Sequence, residues 1–202
     1  ILQCLSNQNY PKDKFEIIVV DDFSTDRTSD LVGQANIENL KLIKPSNGEG
    51  KKKAIEAGIA QAKGALIVTT DADCEMGKEW LSSIVACYEQ DKSKMIVAPV
   101  LLKGEKGFQQ IMQAQEMTVL TTSACASIYY NSPILCSGAN LAYEKEAFLS
   151  VNGFEGVDKI ASGDDVFLMQ KFQRKFPKEI KYLRSKEAVV YTHPETTVMS
   201  AL

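Results

Sequence analysis

Four short β-branched runs alternate with helical stretches along the first half of this 202-residue chain, and that alternation limits the fold more than any other feature. FEIIVVDD (15–22), LKLIKP (40–45), ALIVTTD (65–71) and KMIVAPVLL (94–102) are dominated by Val, Ile and Leu. Continuous apolar runs of this kind mark strands that are covered on both faces. Between them lie three helical patterns: TDRTSDLVGQA (25–35), capped by Ser24 or Thr25; GKKKAIEAGIAQA (50–62), with apolar residues at spacings of three and four; and KEWLSSIVACYEQD (78–91). Strands separated by helices need right-handed crossovers, so the expected fold is α/β, with a mostly parallel sheet and helices on both faces.

After residue 103 the rhythm changes. A long helical stretch, about 106–130, leads to ILCSGANLAY (134–143). A short helix, KEAFLSV (145–151), ends at Asn152-Gly153, and GDDVFLMQKFQRKF (163–176) reads as another helix. Two strand-like runs follow near 180–184 and 188–192. No repeat or low-complexity linker divides the chain, which reads as one domain over 1–202.

Composition removes several classes of function. The formal charge of -3, with LysLysLys at 51–53 as the only basic triplet, argues against nucleic acid as a partner. Five cysteines without paired spacing and a single histidine, His193, make a zinc cluster untenable. Unpaired thiols suit a reducing, cytosol-facing compartment. Residues 117–143 carry no charge, but polar residues, glycine and proline interrupt them well short of the roughly 20 continuous apolar residues of a membrane span. His193 reads as structural and Trp80 as core.

The acidic residues carry the chemistry. In an open α/β sheet, ligands bind at the carboxyl ends of the strands. Two strands end there in paired acids: Asp21 with Asp22, and Asp71 with Asp73. One such pair is ordinary turn and cap chemistry; two pairs on one rim suggest a site. Crowded carboxylates repel unless a cation or proton joins them. An oxygen-only ligand set points to Mg²⁺ or Mn²⁺, which bind one or two carboxylates and complete their shell with water and substrate phosphates. A nucleoside diphosphate derivative is therefore the expected substrate. A third pair, Asp164 with Asp165, opens a helix. Asp164 suffices as a cap, which leaves Asp165 available as a base.

Taken in order, EIIVVDDFSTDRT, TTDAD, SGANLAYEKEAF, NGF and SGDDVFL resemble the family 2 glycosyltransferases of GT-A fold, and most of all the membrane-associated, synthase-like branch that includes cellulose and poly-N-acetylglucosamine synthases. The resemblance implies an inverting transfer of a sugar from a nucleotide-diphosphate sugar, expected to be a UDP-sugar, to a hydroxyl of a glycan or lipid-linked acceptor. It implies that Asp21 and Asp22 contact the nucleotide, that Lys51 lies near it, that Asp71 faces the nucleotide sugar and that Asp73 binds the metal. Gly138, Ala139 and Asn140 would line the donor sugar and acceptor. Asp165 would be the general base, with Asp164 in place of the usual Glu. Residues 1–103 would form the nucleotide-binding half and 104–202 the acceptor and catalytic-base half. The family's opening strand and its later QxxRW segment and membrane helices have no counterpart in the sequence. The expected parent is therefore longer, is held at the cytoplasmic face of a membrane by segments absent from this chain, and acts in polysaccharide biosynthesis. In the resembled fold the opening strand lies in mid-sheet, so 16–20 and 66–70 are expected roughly 9–10 Å apart, without a ladder between them.

Two alternatives come from other classes. A haloacid-dehalogenase-like phosphatase also uses DxD at a strand end, but its later acids end a strand, whereas Asp164-Asp165 opens a helix. A truncated, non-catalytic nucleotide-binding domain would keep the rim and lack turnover.

Overall fold

The computed structural model describes residues 1–45, 48–103, 107–156 and 163–194. Ser162, beside the expected start of the second-half helix, and the chain after Pro194 lie outside the described residues. A short helix α1 (Leu2–Ser6) precedes strand β1 (Ile17–Val20), helix α2 (Thr28–Gly33) and strand β2 (Leu40–Ile43). Helix α3 (Lys51–Gln61) follows, then β3 (Leu66–Thr69), a two-residue β4 (Glu75–Met76), α4 (Trp80–Asp91), β5 (Met95–Val97) and β6 (Val100–Leu102). The second half holds α5 (Phe108–Tyr129), β7 (Leu141–Glu144), α6 (Lys145–Ser150), α7 (Asp164–Lys175), β8 (Ile180–Tyr182) and β9 (Val190–Thr192).

The α/β expectation holds, but the sheet is mixed rather than mostly parallel. β1 pairs with β2 in parallel. A second ladder runs β3-β7-β5-β8, and a third runs β4-β9-β6. β7 is antiparallel to both β3 and β5, while β8 is parallel to β5. β9 is antiparallel to β4 and parallel to β6. The difference comes from β7, which the α5 connection inserts between two strands of the first half. Among the described residues β1 pairs only with β2, and no ladder joins it to β3.

The run at 94–102 is two strands, not one. Pro99 has no N–H to give a ladder, and Val97 and Val100 belong to different sheets. Ala98 N–H turns to the Asn140 carbonyl (3.1 Å), and the Pro99 carbonyl accepts from Val190 N–H (3.0 Å).

Helices cover both faces of the central ladder, and the pleat sorts its side chains by period two. Met95, Val97, Leu141 and Tyr143 join Phe148, Phe154, Leu168 and Phe172 on one face. Ile96 and Ala142 join Trp80, Leu81, Ile84 and Val190 on the other. Truncating a fully buried ring here, Phe172 for example, costs about 3–5 kcal/mol. Two close fits set the approach to the site. A Cβ at Gly58 of α3 would meet Val20 at 3.3 Å, so the helix lies close on β1. After α6, Asn152 takes φ 58, a left-handed conformation that Asn tolerates. Gly153 follows at φ +44, where a Cβ would lie 2.7 Å from the Phe148 ring.

Candidate active site

The first acidic pair divides its labour. Asp21 is buried. Its Oδ1 accepts Ser24 N–H at 2.9 Å and its Oδ2 accepts the Ser29 hydroxyl, with Lys44 Nζ at 3.4 Å. The hydrogen bonds from Ser24 and Ser29 hold its pKa well below the usual carboxylate range. Asp21 thus organises the turn into α2, and this explains why that helix starts at Thr28 rather than at Ser24 or Thr25. Asp22 is exposed, and both its oxygens accept Gly50 N–H, at 3.0 and 2.9 Å. Gly50 sits at φ +107, open to glycine, and places Lys51 at the start of α3.

Lys51 reaches from that helix end to the second pair. Its Nζ lies 2.9 Å from Asp71 Oδ1. Desolvation pulls the Lys51 pKa down, but the Asp71 hydrogen bond and the charges of Asp71, Asp164 and Asp165 outweigh it and raise the value. Asp73 is exposed, and its Oδ2 accepts the Thr192 hydroxyl at 2.8 Å. Thr69, the last residue of β3, donates its hydroxyl to the Gly138 carbonyl at 2.8 Å and so ties the strand end to the SGAN segment.

Asp164 and Asp165 occupy the first turn of α7, where negative charge suits the helix dipole. The cap is Gly163, at φ 81, and Asp164 is the first helical residue rather than the expected cap. Asp165 Oδ2 accepts Gly138 N–H at 2.7 Å, and Oδ1 accepts Val166 N–H at 2.9 Å. Lys51, Thr69, Gly138, Tyr143, Asp164 and Asp165 line one small cleft.

The three SGAN residues are not equivalent. Only Gly138 lines the cleft; Ala139 and Asn140 are buried in the core, which differs from the expectation that all three line the sugars. Asn140 Oδ1 accepts the Trp80 indole N–H at 3.0 Å. Its Nδ2 donates to the Pro99 and Ala188 carbonyls, both at 2.8 Å. A buried indole N–H needs an acceptor, and that need was the one sequence signal for this role. Thr69, Gly50 and Thr192 carried no signal, because their partners lie far along the chain. His193 is half exposed, with Nε2 3.5 Å from Glu75, and that carboxylate also pairs with Lys103.

Among the described residues, no three His, Cys, Asp or Glu side chains converge on a point. A hard ion can be held by one or two carboxylates and a substrate diphosphate without an all-protein cage. Asp71 and Asp73, accessible and oxygen-only, are suited to it.

A mixed α/β sheet with carboxylates at its strand ends, facing a lysine and a helix-borne acid, defines a GT-A transferase fold. Solved structures agree. The mannosyltransferase PcManGT from Pyrobaculum calidifontis, determined in complex with GDP-Man and Mn²⁺, matches with a TM-score of 0.75 at 20% identity, over 99% of this chain and 54% of that one. Staphylococcus aureus TarS 1–349 in complex with UDP-GlcNAc matches at 0.68 and 23%, over 100% and 56%. The chain belongs to glycosyl transferase family 2, whose model matches residues 1–151. It is 27% identical over 178 residues to the poly(ribitol-phosphate) beta-N-acetylglucosaminyltransferase TarS of S. aureus strain Mu50, which is 85% of this chain and 29% of that protein. It is 43% identical over 77 residues to the probable glycosyltransferase YdaM of Bacillus subtilis strain 168, 36% of this chain and 18% of that one. The chain thus spans less than a third of these curated relatives. Asp164, Asp165 and Thr192 lie beyond the family match. Among the described residues, no helix is long and apolar enough to cross a membrane.

Proposed function

We propose that this chain carries an inverting, metal-assisted glycosyltransferase site that moves a sugar from a UDP-sugar to a hydroxyl of a glycan or lipid-linked acceptor. One observation carries the reading: Lys51 and Asp165, from two separate helices, line one cleft, and Lys51 Nζ lies 2.9 Å from Asp71 at the end of β3. Asp22, at the end of β1, and Lys51 form the nucleotide side. Asp71 and Asp73 would hold Mg²⁺ or Mn²⁺, which supplies charge neutralisation to the diphosphate leaving group. Lys51 adds a fixed positive charge on the same side.

Asp165 stands across the cleft as general base. Gly138 N–H holds one carboxylate oxygen and so orients the other lone pairs toward an incoming hydroxyl. The acceptor oxygen attacks the anomeric carbon as its proton passes to Asp165. The bond to the diphosphate breaks on the opposite face, so configuration inverts and no covalent intermediate forms. Asp164, in the same first turn, adds negative charge beside the base.

The test is sugar release and transfer from a panel of UDP-sugars, with Mn²⁺ and with chelator. Metal-dependent turnover of at least one donor supports the reading. Binding of UDP without turnover by any donor reduces the site to nucleotide binding, and equal UDP affinity with and without chelator removes the metal.

A further inference from the structure

Asp73 follows β3 on an exposed turn, where Cys74 N–H bonds the Asp71 carbonyl at 3.2 Å. Nothing in that turn's own backbone fixes the Asp73 carboxylate. Its anchor comes from 119 residues away: Thr192 Oγ1 donates to Oδ2 at 2.8 Å, while among the described residues Oδ1 meets only the Cys74 thiol, at 3.8 Å. Thr192 is a rigid post. β9 is paired on both sides, with β4 through Glu75↔Tyr191 and with β6 through Leu102↔Thr192. Lys103 N–H closes on the Thr192 carbonyl at 2.8 Å. Threonine is also stiff at χ1. The turn's exit is clamped to the same strands, since Glu75 pairs with Lys103 on one side and His193 on the other.

We infer that Thr192 is a positioning residue that holds the Asp73 carboxylate in one orientation, with Oδ1 left open toward the divalent ion and the diphosphate. The inference rests on the reading of Asp73 as an ion-binding carboxylate. A side chain that orients a ligating carboxylate saves the ordering cost that the ion would otherwise bear, and loss of such a partner typically weakens metal affinity about 10–100-fold. It also makes the last described strand part of the site, although the family match ends at residue 151.

The experiment compares Thr192→Val, Thr192→Ala, Thr192→Ser and Asp73→Ala with the unaltered chain. Free Mn²⁺ is followed by electron paramagnetic resonance in the presence of UDP, UDP affinity is measured in chelator, and thermal unfolding is recorded. Thr192→Val keeps the strand's shape and is expected to weaken Mn²⁺ binding about tenfold. Metal-free UDP affinity and unfolding should stay unchanged, Ser should restore binding and Ala should match Val. If Asp73→Ala loses Mn²⁺ binding while Val and Ala both bind as the unaltered chain does, the positioning role is wrong. If Val and Ala instead lose metal-free UDP affinity and stability together, Thr192 is only part of the strand. If Asp73→Ala itself binds Mn²⁺ and UDP normally, the underlying reading of Asp73 fails.

Discussion

Asp21-Asp22 after β1 and Asp71–Asp73 after β3 look alike as sequence, yet the fold puts them to different uses. The donors to Asp21 come from within eight residues, apart from Lys44. Its carboxylate is buried and consumed by its own turn. The second pair draws its partners from 20 and 119 residues away, Lys51 for Asp71 and Thr192 for Asp73. A carboxylate satisfied locally shapes a loop. One oriented by remote elements stays accessible and points where those elements meet. Asp22 is intermediate: it is exposed, but it is bound to the backbone that introduces Lys51.

The largest expected effect lies at Asp165, which belongs with the remotely oriented acids. Asp165→Asn should keep UDP affinity and lose transfer by roughly 10²–10⁴-fold, the range for a general base; single-turnover transfer together with UDP titration reads both. A full rate would move Asp165 to the structural side.

A crossed pair comes next. Asp73→Ala should weaken Mn²⁺-dependent UDP binding by more than about tenfold and leave the melting temperature in place. Asp21→Ala should do the reverse: it strands the Ser24 and Ser29 donors and lowers the melting temperature, while the folded fraction binds UDP normally. Calorimetry on both variants decides, and the opposite pattern would overturn the contrast.

Lys51→Ala sharpens it further. The Lys51–Asp71 pair is about half exposed, so its loss should change unfolding by less than about 1 kcal/mol. The visible loss should be in UDP affinity. A stability change larger than that would make the pair a structural bridge.

The smallest effect is on acid stability. Because Asp21 has a folded pKa below its ordinary 3.8, its contribution is present above about that pH and is lost as pH falls toward the folded value. Asp21→Asn should therefore flatten the acid limb of stability below pH 3.8, which urea titration across that range would show. An unchanged acid limb would mean that the serine bonds do not persist in solution.

Much of the site was legible because its signals are local. A β-branched run that ends in Asp71–Asp73, and a second acid opening a helix at Asp165, can be read within a few residues. The distinction within each motif was not legible. Gly138 faces the cleft, while Asn140, two residues on, is locked to Trp80, Pro99 and Ala188. Those partners lie 60, 41 and 48 residues away.

By itself the sequence determined the α/β alternation, the strand ends that bear acids, the helix that bears Asp165 and the family. Each follows from side-chain periodicity and turn chemistry over a few residues. Tertiary structure decided the rest: the insertion of antiparallel β7, the split at Pro99, the burial of Asp21 and Asn140, and the reach of Thr192 to Asp73. The physical reason is common to all four. Burial, strand pairing and the orientation of a carboxylate depend on which distant donors and apolar surfaces arrive beside it, and that is settled only when the whole chain packs.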